Sequence, residues 1–283
     1  MGRDRPVNVC CFTPPYYTDH GALDDQRFDR LYRTEIVDEV HHLYRGSIQP
    51  DAPIAGTTHW QVTASRDRLT AFRAFVSTTR SYVTDHDIDL LYCFDYRLLP
   101  PVAMASMLTR CPLVFECGSR WEHAFDADSD RYTWIPLLKV LFRSGVIDEV
   151  VALADHLNRS VQRLGAPNPT TFYPLNNKEP FLNCETAFSF PEDHVILYTG
   201  RISPEKGTQR LLERFDALNR DDVGLHFVGD NINDIGDRAE LATNIRERAE
   251  MDQRVHYHGW VEYADLPPYY RGADIVALPS LTE

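Results

Sequence analysis

The stretch His194-Val-Ile-Leu-Tyr-Thr-Gly-Arg-Ile-Ser-Pro-Glu-Lys-Gly207 runs from an apolar strand into a basic loop flanked by glycines. The apolar run ends in Gly200 and Arg201. The loop then feeds an amphipathic helix in which Leu211, Leu212, Phe215 and Leu218 share one face. A strand, a glycine-flanked loop and a helix start together make an anion site. Free N–H groups point outward from the helix, and its dipole adds roughly half a positive charge at that end. Arg201 and Lys206 add two full charges. Only three of the 29 basic residues are lysines (Lys139, Lys178, Lys206), so a chain that avoids lysine keeps one at this loop. A compact ammonium beside a bidentate guanidinium suits a diphosphate.

Working outward, Leu225-His-Phe-Val-Gly-Asp230 reads as a second buried strand ending in Gly229. A helix follows, with Leu241, Ala242, Ile245 and Ala249 on one face. Arg254-Val-His-Tyr-His-Gly-Trp-Val261 is a third strand running to Gly259. Ala264 to Tyr270 opens a short helix, and Ala273 to Glu283 gives a fourth strand and a loop. Strands alternating with helices imply an α/β fold, a parallel sheet with right-handed crossovers. Ligands of such sheets lie off the carboxyl ends of the strands. Arg201, Lys206, Gly229, Gly259 and Glu283 all fall there.

The amino-terminal half repeats the alternation. Strands are expected at Val7–Phe12, around Trp60 and Val62, at Ile88–Phe94, Pro112–Glu116 and Glu149–Leu153. Helices are expected from Asp24 to Tyr44 (Phe28, Leu31, Tyr32, Ile36, Val40, Leu43), through Leu69, Phe72, Phe75 and Val76, through Trp134, Leu137, Leu138 and Leu141, and from Asp155 to Leu164. Pro174, Asn176, Asn177, Pro180 and Pro191 break the periodicity. The expected organisation is a first Rossmann-like domain over 1–173, a linker over 174–192 and a second over 193–283.

The phrases Gly200-Arg-Ile-Ser-Pro-Glu-Lys-Gly207, Phe227-Val-Gly-Asp230, His258-Gly-Trp260, Asp265-Leu-Pro-Pro-Tyr-Tyr270 and Leu278-Pro-Ser-Leu-Thr-Glu283, in this order and spacing, resemble the carboxyl-terminal half of the retaining GT-B glycosyltransferases of family 4. The resemblance covers about the last 90 residues closely and the first half in outline. It implies two Rossmann-like domains with parallel sheets facing a cleft, the second incomplete. It implies transfer of a sugar, in hexosyltransferase fashion, from a nucleotide-sugar donor of UDP or GDP type to an acceptor hydroxyl, with retention and without a metal. Arg201 and Lys206 would neutralise the donor diphosphate. Gly200, Gly229, Gly259 and Trp260 would place backbone and ring against the nucleotide. Glu283 matches the first glutamate of the E-x7-E motif, which contacts hydroxyls of the transferred sugar. The second glutamate would fall beyond Glu283, so the chain is expected to be a fragment or a natural truncation. Two other readings stay open: a non-catalytic nucleotide-binding module, and a GT-B-shaped nucleotide-sugar epimerase.

On the acceptor side, the family's glycine pair after the first strand is replaced by a loop with Tyr16, Tyr17, His20 and one glycine, Gly21. The family's histidine position near the reacting carbon holds Cys117, Gly118 and Ser119, with His123 just beyond. Tyr16, His20 and His123 are therefore the acceptor-side candidates, for a glycan, a lipid-linked acceptor or a small molecule.

A net charge of −13 disfavours nucleic acid and anionic membranes as partners. With so little lysine, it suggests a haloarchaeal-type, halophilic origin. The six cysteines include no C-x-x-C pair and read as small buried hydrophobes in a reducing cytoplasm. No apolar stretch approaches the roughly 18 residues needed to span a bilayer, leaving at most peripheral membrane contact. Other motifs fail on context. Asp126-Ala-Asp128 spells a metal-binding D-x-D but sits in a polar run. Asp85, Asp87 and Asp89 lack the glycine and distal glutamate of a calcium loop. Asn158-Arg-Ser160 is a sequon by spelling only. His256 and His258 share a strand face, but no cysteine or carboxylate nearby completes a zinc set.

Overall fold

The computed structural model describes residues 7–12, 37–45, 57–62, 68–121, 128–173, 178–230 and 237–281. Contacts divide the chain into two units, Met1–Asn176 and Asn177–Glu283.

The first unit holds strands β1 (Val7–Phe12), β2 (Val37–Arg45), β3 (Thr57–Val62), β4 (Leu90–Cys93), β5 (Leu113–Cys117), β6 (Glu149–Ala152) and β7 (Thr170–Thr171). Its described helices are α1 (Arg68–Asp85), α2 (Leu99–Thr109), α3 (Asp128–Arg143) and α4 (Asp155–Leu164). The strands run parallel in the order β3-β2-β1-β4-β5-β6-β7. The chain winds outward from β1 in one direction and then resumes on the other side at β4, which makes a doubly wound sheet. In β1, Val9, Cys10, Cys11 and Phe12 are all buried, Cys10 and Phe12 in one cluster and Val9 and Cys11 in the other. Burial on both faces is why such a strand reads as a continuous apolar run.

Three elements differ from the sequence expectation. Residues 37–45 form a strand, not the end of a helix; residues 24–36 lie outside the described residues. Val7 pairs with Val37 but Val9 pairs with Val40, so a bulge absorbs one residue. It brings Val37 and Val40 to the same face, and their three-residue spacing imitates a helical stripe. Helix α1 exists but buries Ala71, Phe75, Thr79 and Tyr82, while Leu69 is exposed. Its aromatic anchors set the face: Phe75 packs on Phe12, and the Tyr82 hydroxyl lies 2.8 Å from His41 Nδ1. Helix α2 was not expected, because Leu99-Pro-Pro-Val-Ala-Met-Ala-Ser-Met-Leu-Thr109 is apolar nearly all round and shows no stripe. Pro100 and Pro101 sit in the first turn, where a missing N–H costs no hydrogen bond.

Helix α4 has the expected bounds and ends at Gly165 in the left-handed conformation (φ 108°). Asn158 on this helix donates to the Pro169 carbonyl at 2.6 Å and to Thr171 Oγ1 at 2.9 Å. It thereby ties the short edge strand β7 to the helix, which accounts for the residue without glycosylation. Asn158→Ala should lower stability by about 1–2 kcal/mol. An unchanged denaturant midpoint would contradict this role. The stray acidic motif is likewise structural at Asp89, whose carboxylate accepts from the Asn8 N–H at 3.2 Å at the start of β1. Asp128 opens α3, while Asp126 lies outside the described residues.

The second unit holds β8 (His194–Thr199), β9 (Val223–Val228), β10 (Val255–Gly259) and β11 (Ile275–Val276), parallel in the order β10-β9-β8-β11. Its described helices are α5 (Glu179–Leu182), α6 (Thr208–Asp216), α7 (Asp237–Met251) and α8 (Pro267–Gly272). Alternation sorts the strand residues by face. Tyr198, Val223, Leu225, Phe227 and Val255 pack with Phe215 of α6 and with Leu241, Ala242 and Ile245 of α7. Gly224, His226, His256 and His258 belong to the opposite face. The segment Phe188–Glu192 and helix α8 cover that face: Phe188 stacks on Tyr269 at 4.2 Å, and Phe190 meets the His226 ring at 4.4 Å. Among the described residues, no helix is long and apolar enough to cross a membrane.

Candidate functional site

The order β10-β9-β8-β11 repeats the winding of the first sheet, with its reversal between β8 and β11. The loops leaving these two strands flank the reversal, which is where open α/β sheets take ligands. After β8, residues 200–203 lead into a 3₁₀ turn, Pro204–Lys206. Gly207 then adopts a left-handed conformation (φ 68°) and α6 begins at Thr208. The loop after β11 lies against this turn. The Leu281 N–H donates to the Glu205 carbonyl at 2.9 Å, and a Cβ on Gly207 would stand 2.2 Å from the Pro279 carbonyl oxygen. Glycine is therefore required at 207 on two counts, conformation and space.

Arg201 stands exposed two residues past β8, and Lys206 is half-buried at the end of the 3₁₀ turn. Among the described residues, neither makes an ion pair. The Arg201 carbonyl accepts from the Tyr198 hydroxyl at 2.5 Å, so a core aromatic fixes the start of the loop. Helix α6 carries no side-chain cap, which leaves its first N–H groups directed at the loop. Ser203 is buried within it, with a hydroxyl that has no partner among the described residues.

The three expected glycines form a row across the strand ends. Gly200, Gly229 and Gly259 have φ of 137°, 129° and 71°. The Gly200 N–H donates to the Val228 carbonyl at 3.0 Å, and the Gly229 N–H to the Gly259 carbonyl at 2.7 Å. A Cβ at 229 would lie 2.1 Å from the Gly200 carbonyl oxygen. The row is thus a shelf of bare backbone. Trp260 follows it, about half exposed, its Nε1 donating to Glu262 at 3.2 Å. Next to the shelf, Asp230 is held by Arg246 at 2.8 Å, an ion pair that the sequence reading did not single out.

Glu283, Tyr16, His20 and His123 lie outside the described residues. In the first unit, a pocket of about 590 Å³ is lined by Arg120, His156, Arg159, Gln162 and Arg163. Cys117, three residues before Arg120, is buried, with its Sγ 3.0 Å from the Tyr96 hydroxyl.

Residues 193–283 match the family model described as glycosyl transferases group 1. Over 99 residues the chain is 29% identical to the mannosylfructose-phosphate synthase of Agrobacterium fabrum strain C58, a match covering 32% of this chain and 21% of that enzyme. The curated relatives are thus matched over only about a fifth of their length, 22% and 21%. Among solved structures, the chain is similar to a glycosyltransferase from Rickettsia africae (TM-score 0.73, 11% identity, 98% of this chain and 73% of that one). It is also similar to Anabaena Alr3699/HepE in complex with UDP and glucose (TM-score 0.70, 17% identity, 97% and 74%). These likenesses establish the fold: α/β, with two Rossmann-like parallel sheets, as in the GT-B glycosyltransferases.

Proposed function

We propose that this chain transfers a hexose from a nucleoside diphosphate donor of UDP or GDP type to an acceptor hydroxyl, with retention at the anomeric carbon and without a catalytic metal. The observation that supports this most is the loop at the β8–β11 reversal. It carries Arg201 and Lys206, is backed by the row Gly200–Gly229–Gly259 and is touched by the loop after β11. The match of residues 193–283 to the glycosyl transferases group 1 model points the same way.

In this reading Arg201 and Lys206 hold the two phosphates, Gly259 and Trp260 receive the base, and Glu283 hydrogen-bonds the sugar. The bond from the anomeric carbon to the diphosphate oxygen breaks, and the acceptor oxygen bonds the same face. The acceptor proton passes to the departing phosphate. Negative charge grows on that phosphate as the sugar becomes oxocarbenium-like. The two cations stand in place before the reaction begins, and such prearranged charge is usually the largest catalytic contribution. No pair of flanking carboxylates of the glycosidase kind is invoked. Tyr16, His20 and His123 serve the acceptor side. The cationic lining of the Arg120–Arg163 pocket suits an acceptor bearing phosphate or carboxylate. The five buried free thiols suit a reducing cytoplasm.

Incubation with labelled UDP- and GDP-hexoses tests the reading. Release of nucleoside diphosphate is expected at a rate that added Mg²⁺ leaves unchanged. A strict requirement for Mg²⁺ would contradict metal-independent transfer. Failure to bind or turn over any nucleotide sugar would contradict the transferase itself.

A further inference from the structure

One face of the second sheet carries a cluster that the donor site does not use. His226, in the middle of β9, is paired in register with His256 on β10. Parallel pairing sets the two imidazoles side by side, with centroids 4.2 Å apart and planes within 6°. Both rings aim Nε2 at one carboxylate. His226 Nε2 lies 2.9 Å from Glu192 Oε2, and His256 Nε2 lies 2.5 Å from Glu192 Oε1. All three groups present ligand atoms within 4.8 Å of one another. Side-chain exposure is 9% for Glu192, 1% for His226 and 29% for His256, so the cluster is enclosed but open on the His256 side.

The neighbouring residues hold this geometry in place. A Cβ on Gly224, two residues before His226 on the same face, would stand 2.5 Å from Glu192 Cδ and Oε2. Only glycine lets the carboxylate lie this close to the strand. Behind His226, Nδ1 is 3.0 Å from His258 Nε2. With Nε2–H donating to Glu192, His226 Nδ1 accepts from His258 Nε2–H; moving the proton to Nδ1 reverses that bond and frees the Nε2 lone pair for a metal. An outer partner of this kind fixes the tautomer of a ligating histidine. Burial, reinforced by the neighbouring imidazoles, holds His258 down at about 4 and His226 below its ordinary value, so both stay neutral. Burial alone would raise Glu192, but hydrogen bonds from His226 and His256 outweigh it and keep the carboxyl low and ionised.

We propose that Glu192, His226 and His256 form a binding site for a divalent transition metal of the Zn²⁺ type, with a water completing the coordination. Two imidazole nitrogens and one carboxylate oxygen are a set that Zn²⁺ takes. On entry of the ion, the Nε2 protons that bonded Glu192 shift to Nδ1, His226 then donating to His258, and both Nε2 atoms bind the metal. Bonds of about 2.0–2.1 Å place tetrahedral ligand atoms about 3.4 Å apart, so Glu192 must draw back by less than about 1 Å and the two stacked rings must tilt out of parallel to turn both Nε2 lone pairs on one ion. The ion would staple the segment Phe188–Glu192 to β9 and β10, three residues before Gly229 and Gly259. Its role is structural, and it does not depend on the donor reading.

The test is titration of the full chain, freed of metal by a chelator, with Zn²⁺ by calorimetry and with Co²⁺ by visible absorption. One equivalent is expected to bind, with a tetrahedral Co²⁺ spectrum and a rise in melting temperature. His256→Gln and Glu192→Gln keep side-chain size; both should fold by circular dichroism and lose the stoichiometric site. His258→Gln should weaken Zn²⁺ by about 10–100-fold through loss of the outer partner. Absence of saturable binding at one equivalent would overturn the proposal, as would binding by His256→Gln and Glu192→Gln equal to that of the wild type.

Discussion

Replacing Arg201 and Lys206 together by alanine is expected to lower donor turnover by about 100-fold or more while leaving the fold intact. Removing one prearranged donor to a developing oxyanion typically costs 10²–10³ in rate, about 3–4 kcal/mol. Two such groups on one ligand act as a unit, so the double variant should fall well short of the product of the two single effects. The structural cost is small, because Arg201 is exposed and Lys206 is half-buried at a turn. Arg201→Lys should rescue only in part, since an ammonium cannot make a bidentate contact with phosphate. Steady-state kinetics of donor hydrolysis or transfer, with circular dichroism as control, decides the matter. Unchanged turnover in the double variant would remove these residues from the mechanism.

The second large effect is expected at Gly229. Alanine there must adopt φ near 129°, and its Cβ would meet the Gly200 carbonyl oxygen at 2.1 Å. Neither atom group can swing away, because both belong to the backbone. The hydrogen bonds of Gly200 to Val228 and of Gly229 to Gly259 would have to open. Strained φ and overpacking together predict a loss of about 2–5 kcal/mol, with nucleotide binding weakened along with it. Gly118→Ala is the control. Its Cβ would meet only Leu153 Cδ1, at 3.7 Å, an ordinary contact. Denaturant unfolding of the two variants should separate them clearly; equal stabilities would mean that the shelf is not rigid.

The second unit was legible because its chemistry is local. Strands β8 and β9 are largely apolar runs closed by a glycine, the signature of buried parallel strands, and β10 alternates Val-His-Tyr-His before Gly259. What the residues alone did not show was that Gly200, Gly229 and Gly259 touch one another, since the contact depends on register across three strands. In the first unit, β2 was read as helix because a bulge at Val7–Val9 changes the apparent period of Val37 and Val40. Strand β7, two residues long, is too short to carry a period, whereas the equally short β11 falls within the fourth strand expected from Ala273 onward. The Glu192–His226–His256 cluster was legible only in part. The two histidines of β10 were noticed, but the carboxylate comes from 34 residues before His226 and 64 before His256. A site assembled from one connecting segment and two strands has no linear spacing to recognise.

The central claim is that the loop from Gly200 to Gly207 grips a pyrophosphate. It is tested most directly by titrating the full chain with UDP and GDP and with the matching monophosphates, by calorimetry. A diphosphate binding at least about tenfold tighter than its monophosphate is predicted, about 1.4 kcal/mol contributed by the second phosphate, with that advantage lost in the Arg201→Ala, Lys206→Ala variant. Equal affinity for mono- and diphosphate, or an advantage that survives in the variant, would contradict the account.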